Sequence, residues 1–190
     1  MNNPAVTNLV LSLGAMQLAR KIPSEDPVVI NYLRIGYVAA QLLSLATYFY
    51  ITLKIKKKND LTVLKYVQPP APMSQEEGKL VTTTVKDYDL QQTGAAMKGL
   101  FTGIAFMCFL HGYMKYTQPL FIQALMGIKG VLESNPAKLH LWNYKAEGDL
   151  QRPFKAAGGM MESLMGGGAS GPQTDAASIK AAEKAGGKSE

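Results

Sequence analysis

The sequence predicts an all-α membrane protein: three transmembrane helices plus a short re-entrant or interfacial helix, with a cytosolic loop and a disordered C-terminal tail. Three observations predict it. Runs free of Asp, Glu, Lys and Arg cover Pro4–Ala19, Ile35–Leu53 and Gly99–Met114; basic residues close each run, at Arg20 and Lys21, at Lys54 and at Lys115; and polar or Gly-rich chain separates and follows them. The mean hydropathy of -0.02 resembles that of an ordinary soluble protein. It averages these runs with a charged middle and a tail of Gly, Ala, Ser and Lys, so segments decide where the mean does not.

At ~1.5 Å per residue Pro4–Ala19 forms a helix of about 24 Å, short for a bilayer. Its positive charges follow the apolar run rather than precede it, the reverse of a signal peptide, so it reads as a retained helix. The second helix, Val28–Leu53, opens on Glu25-Asp26-Pro27, where acidic residues and a proline suit a first turn. Its uncharged part spans about 28 Å, and Tyr48 and Tyr50 lie beside the lysines as an interfacial aromatic belt would. Residues 1–53 thus read as an N-terminal two-helix membrane hairpin.

Residues 54–95 read as a polar cytosolic loop. Gln68-Pro69-Pro70-Ala71-Pro72 predicts an extended linker and Val81–Val85 a short strand-like piece, with too little chain for an independent core. Residues 96–133 hold the third membrane helix, Gly99–Met114, then a turn at Tyr116–Pro119 and a short half-helix from Leu120 to Val131. That half-helix either returns the chain to the cytosol or lies flat on the lumenal surface, and the side of the tail follows from which. Residues 134–157 interleave Leu139, Leu141, Trp142 and Tyr144 with His140 and Lys145, an interfacial or docked segment. Residues 158–190 read as a flexible tail, with a short helix after Asp175 as its one ordered element.

The net charge of +6 is concentrated in Lys54, Lys56, Lys57 and Lys58, a membrane-surface or ribosome-facing basic cluster suited to anionic lipids and ribosomal RNA alike. The positive-inside rule puts this cluster in the cytosol, so the second helix runs from lumen to cytosol. Arg20 and Lys21 then fall on the lumenal side against the rule, next to Glu25 and Asp26.

Enzyme chemistry finds no support. The single Cys108 excludes an internal disulfide, His111 and His140 lack metal-ligand spacing, and no Gly-x-Ser-x-Gly occurs. Gly186-Gly187-Lys188-Ser189 matches only the end of a phosphate loop, without its strand or earlier glycine. No cofactor and no metal are expected. What remains is a set of polar side chains within apolar helices: Gln17, Arg34, Gln41, Lys98, Thr102, His111, Lys115, Gln118 and Gln123. Arg34 with Gln41, and His111 with Lys115, share helix faces by their spacing. Such residues either hold helices together or line a water-accessible polar groove. Gly99-x-x-x-Gly103 permits close helix approach, and Met97, Met107, Met114 and Met126 suit membrane packing.

An ordered series of longer strings is more specific. It comprises Met16–Arg20, Glu25–Pro27, Tyr32–Ile35, Lys58–Asp60, Val81–Leu90, His111–Thr117, Pro119–Phe121 and Gly148–Lys155. In this order they resemble a fungal endoplasmic-reticulum membrane family, the third component of SRP-independent (SND) targeting, also named for inorganic phosphate transport. The resemblance covers nearly the whole chain and implies SRP-independent targeting and insertion of membrane proteins at the endoplasmic reticulum. It implies a multi-pass protein of that membrane, with the Sec translocon, the ribosome, client membrane proteins and the other SND targeting components as partners. It transfers no catalytic motif. The polar groove of an insertase or insertion chaperone therefore rests on polarity and spacing; inorganic phosphate transport and a structural adaptor of the translocon are the alternatives.

Overall fold

In a computed structural model the chain is mostly helical, and residues 4–23, 26–68, 78–154 and 172–186 are described. Helix α1 (Pro4–Lys21) and helix α2 (Pro27–Lys58) fall where apolar patterning puts them. Asp26 opens α2 by accepting the Val28 N–H at 2.8 Å, with Pro27 in the first turn. Asn59 closes it in the left-handed region at φ 48°, its N–H returning to the Ile55 carbonyl. These 32 residues reach about 48 Å, well past a hydrocarbon core of about 30 Å. The basic cluster therefore belongs to the last turns of α2, where it complements the negative helix end, and not to a loop starting at residue 54.

Tyr37, Gln41, Ser44, Tyr48, Ile51 and Ile55 are the buried seam of α2, recurring every three or four residues. Ile35, Leu42 and Phe49 on the other faces are 65%, 62% and 61% exposed. Polar Gln41 and Ser44 inside with large apolar groups outside is wrong for water and right for lipid, where close helix contact rather than apolar burial drives packing.

Helix α3 (Val85–Met107) starts well inside the expected loop. Thr84 Oγ1 accepts the Asp87 N–H at 3.1 Å and donates to its carboxylate at 2.8 Å, a reciprocal cap. Hydropathy hides this start because Lys86, Asp87, Asp89, Gln91 and Gln92 make the first turns polar, and Asp89 among them is buried against the cap. A π-helical turn, Cys108–Tyr113, continues α3 until Lys115 turns left-handed at φ 62°. Among the described residues, α2 and the continuous helix 85–113 are the two long and apolar enough to cross a membrane. The expected third span, α1, and helix α4 (Gln118–Glu133) are not among these, the latter reaching only about 24 Å.

Two apolar clusters fix the helix directions. Tyr37 packs with Met107 and Leu120 at one end, and Tyr48, Ile51 and Ile55 with Met97, Leu90 and Val131 at the other. Hence α3 runs antiparallel to α2, and α4 runs parallel to α2, bringing the chain back to the end where the lysines lie. The principal neighbour of α1 is α4 rather than α2, so residues 1–53 do not pack as a self-contained hairpin.

At the lysine end the chain builds a small folded cap, which corrects the all-α expectation. Strands β1 (Val63–Gln68) and β2 (Lys79–Thr84) form an antiparallel pair in the register Val63↔Thr84 to Gln68↔Lys79. Tyr66, Tyr88, Leu139 and Phe154 make its core, each buried side chain stabilising by about 1.5–3 kcal/mol. Within the 134–157 segment helix α5 (Asn135–His140), a 3-10 turn at Gly148–Leu150 and Arg152–Phe154 are docked, while 155–157 lie outside the described residues. Nor is the whole tail loose. Gln173 pairs with Val67 through two backbone bonds of 2.9 and 3.0 Å, and helix α6 (Ala176–Gly186), the helix expected after Asp175, packs on both strands. The Pro-rich linker, the Gly-rich stretch from 158 to 171 and residues 187–190 lie outside the described residues.

One buried carboxylate ties the cap to the helices. Asp89, 2% exposed, accepts from Arg152 Nε and Nη2 at 2.6 and 2.7 Å and lies 2.7 Å from His140 Nε2. Burial opposes its ionisation, but the hydrogen bonds from His140 and Arg152 outweigh burial and hold its pKa below the usual carboxylate value. The Phe154 N–H donates to Tyr88 Oη at 2.7 Å, and burial raises that phenol to about 12.

Candidate functional site

At the opposite end from the cap, the end of α1, the π turn and the start of α4 enclose an open cavity of about 810 Å³. Its walls are apolar, from Met16, Phe106, Met107, Leu110, Pro119 and Ile122, with Arg20, Lys115, Gln118 and Gln123 set among them. Of the expected groove residues, Lys115, Gln118 and Gln123 meet here. The left-handed conformation of Lys115 makes the sharp exit from the π turn that leaves room for the cavity.

Gln123 also explains the glycine spacing. Its Nε2 donates to the Gly103 carbonyl at 3.2 Å, and a Cβ at Gly103 would sit 3.0 Å from that nitrogen, so α4 approaches α3 where a side chain is missing. Its Oε1 is buried and has no hydrogen-bond partner. Gly99 has open space where a Cβ would be, so only one of the two glycines serves an approach.

Arg34 and His111 form a separate pair beside this cavity. Arg34 Nε donates to His111 Nε2 at 2.9 Å and its Nη1 to Asn31 Oδ1 at 3.3 Å, while His111 Nδ1 lies 3.1 Å from the Tyr116 carbonyl. With Nε2 accepting, Nδ1 carries the ring proton and donates to Tyr116. A π turn is a common place for such specialised geometry, because the wider turn frees carbonyls such as Leu110 O, taken here by the Tyr116 N–H.

The remaining residues do not converge on the cavity. Gln41 is buried in the α2 seam, Gln17 is exposed on α1, and Thr102 is exposed with its hydroxyl donating to the Lys98 carbonyl. Lys98 is thirteen residues from His111 on one helix, about 19 Å along its axis, and cannot share an anion with Arg34. Arg20 is the cavity residue that sequence reasoning missed as a site, having taken it for a helix-end charge. Its signal was its place one turn beyond Met16, on the face that meets α4. Among the described residues no three His, Cys, Asp or Glu side chains are grouped to hold a metal.

Outward-facing apolar helices, a folded cap at one end and a cavity with basic and amide groups at the other define a helical, membrane-associated protein. The chain belongs to the Phosphate transport (Pho88) family, whose model it matches over residues 1–189. It is 48% identical to SRP-independent targeting protein 3 of Saccharomyces cerevisiae, over 97% of this chain and 96% of that protein. It is 38% identical to an SRP-independent targeting protein 3 homolog of Schizosaccharomyces pombe, over 86% of this chain and 84% of that one. An uncharacterised protein of the same yeast is 41% identical over 87% of this chain and 81% of its own length. No solved structure matches the chain.

Proposed function

We infer that the protein takes part in SRP-independent targeting and insertion of membrane proteins at the endoplasmic reticulum, as a multi-pass insertase or insertion chaperone beside the Sec translocon and the ribosome. The observation that carries this reading is the cavity between α1, the π turn and α4: apolar walls suit a client's transmembrane segment, and Arg20, Lys115, Gln118 and Gln123 suit its hydrophilic flank. The names of the relatives support the same role. In this reading α1 is a third, short span and α4 a half-length return, and short elements thin the bilayer around the cavity. Arg34 and His111 hold the π turn in shape at its rim.

The test is a photo-crosslinking residue at Gln118, read against stalled multi-span clients in microsomes. Client crosslinks at Gln118 that are absent from the lipid-facing Phe49 are expected. Equal crosslinking at both positions, or normal client insertion after depletion of the protein, refutes the reading. Phosphate transport is the second reading, favoured by the family description and by Arg20 and Lys115 in one cavity. Its test is uptake of labelled phosphate into liposomes holding the purified protein, and no uptake above empty liposomes dismisses it.

A further inference from the structure

We propose that the end of α2 and α5 together form a binding pocket for the phosphate of an anionic lipid headgroup. The pocket, about 310 Å³, is lined by Lys54, Lys57 and Lys58 from α2 and by Leu139, His140 and Asn143 from the cap. The lysines stand at i, i+3 and i+4, so one helix face presents all three ammonium groups. Lys54 is held in place, its Nζ donating to the His140 carbonyl at 3.0 Å and standing 5.3 Å over the Tyr50 ring. Asn143, left-handed at φ 54°, completes the lining from the cap side.

The charge balance asks for an anion. Among the described residues no carboxylate lies within ion-pairing distance of these three lysines, the ion pairs there being Lys65 with Glu183, Lys129 with Glu133, and Asp89 with His140 and Arg152. The acid nearest in sequence, Asp60, accepts from the Thr62 N–H and hydroxyl at 3.1 and 2.7 Å and feels Lys58 only as a weaker, longer-range neighbour. Three ammonium groups around a space of this size suit a phosphate oxyanion.

Phosphate chemistry has two sources, a lipid headgroup and the free ion, and position favours the lipid. Exposed Phe49, Tyr50 and Leu53 lie directly below the pocket on α2, and exposed Trp142 and Tyr144 flank it on the cap side. Apolar surface underneath and amphipathic rings beside mark the level where headgroups sit, above the acyl chains. This inference is independent of what the cavity at the other end accepts.

Trp142 is the only tryptophan and neighbours Asn143, so it reports on the pocket. The full-length protein is placed in phosphatidylcholine nanodiscs carrying a trace of dansyl-phosphatidylserine or dansyl-phosphatidylcholine, and energy transfer from Trp142 is measured. Transfer to the acidic lipid should exceed that to the neutral one, and K57Q and K58Q should each weaken the preference about fivefold, the pair about thirtyfold. K56Q removes the same charge from outside the pocket and should keep most of the preference. Equal transfer to both lipids, or a loss in K56Q as large as in K57Q, overturns the pocket. Displacement of the dansyl lipid by millimolar inorganic phosphate at constant ionic strength assigns the site to the free ion, and displacement by RNA alone assigns it to nucleic acid; either result overturns the lipid proposal.

Discussion

Replacing Asp89 by Asn should release the cap from the helices. The carboxylate accepts two bonds from Arg152 and faces His140 at 2% exposure. An amide of the same shape keeps one acceptor oxygen, loses the charge and leaves the Arg152 guanidinium without its counter-ion in a largely buried place. Breaking one partner of such a pair costs about 3–5 kcal/mol. The Phe154 amide is the reporter, because its N–H is bonded to Tyr88 Oη inside the same core. At about 3 kcal/mol, opening becomes roughly 150-fold more frequent, so hydrogen exchange at Phe154 should accelerate by about that factor in the full-length protein in nanodiscs. The membrane half of α2 should exchange as before. Asp89→Leu combined with Arg152→Met should be less disruptive than either single change, since no charge is left alone. Exchange at Phe154 within threefold of wild type in D89N would refute the reasoning.

The same network predicts a pH dependence with a definite sign. Asp89 has a lowered folded-state pKa, so its contribution is fully present above the unfolded value of about 3.9 and is lost as pH falls through the lower, folded value; cap unfolding followed by Tyr88 and Phe154 signals should therefore set in below about pH 4. Tyr88→Phe removes the acceptor of the Phe154 N–H and should destabilise the cap by about 1–3 kcal/mol, read by the same exchange. Gly103→Ala puts a methyl 3.0 Å from Gln123 Nε2, where it crowds the bond to the Gly103 carbonyl, so its thermal midpoint in detergent should fall below that of Gly99→Ala, which meets open space and gains helix propensity of about 0.5–1 kcal/mol. Arg34→Leu leaves His111 Nε2 without its donor and should slow client insertion while leaving cap exchange unchanged.

Much of the membrane part was legible in the sequence because lipid imposes a one-dimensional signal: α1 and α2 stand where uncharged runs stand, and Asp26, Pro27 and the lysines mark their ends. The cap was not, for two reasons. Its elements are too short and too polar to show a period of their own, and its core is assembled from Tyr66, Tyr88, Leu139 and Phe154, which are scattered over 88 positions and meet only in the fold. Val81–Val85 did read as extended, but its partner strand lies across the Pro-rich linker. The groove residues were legible as types and only partly as a place. Helical spacing orders residues on one helix, and it does not say that α4 lies against α1 or that the cavity forms at the end of α3 remote from Lys98.

The return of α4 alongside α2 has a consequence for how the molecule can be held. Among the described residues both strands, α5 and α6 gather at one end, whereas at the other end α3 and its π turn pass to α4 through the short link from 114 to 117. The protein is lopsided. A partner arriving from the other end meets the open cavity between α1, the π turn and α4, whereas one that needs a folded surface must engage the cap or the flanks of the helices. Reporters fused between β1 and β2 and after Glu190 should accordingly answer from the same compartment.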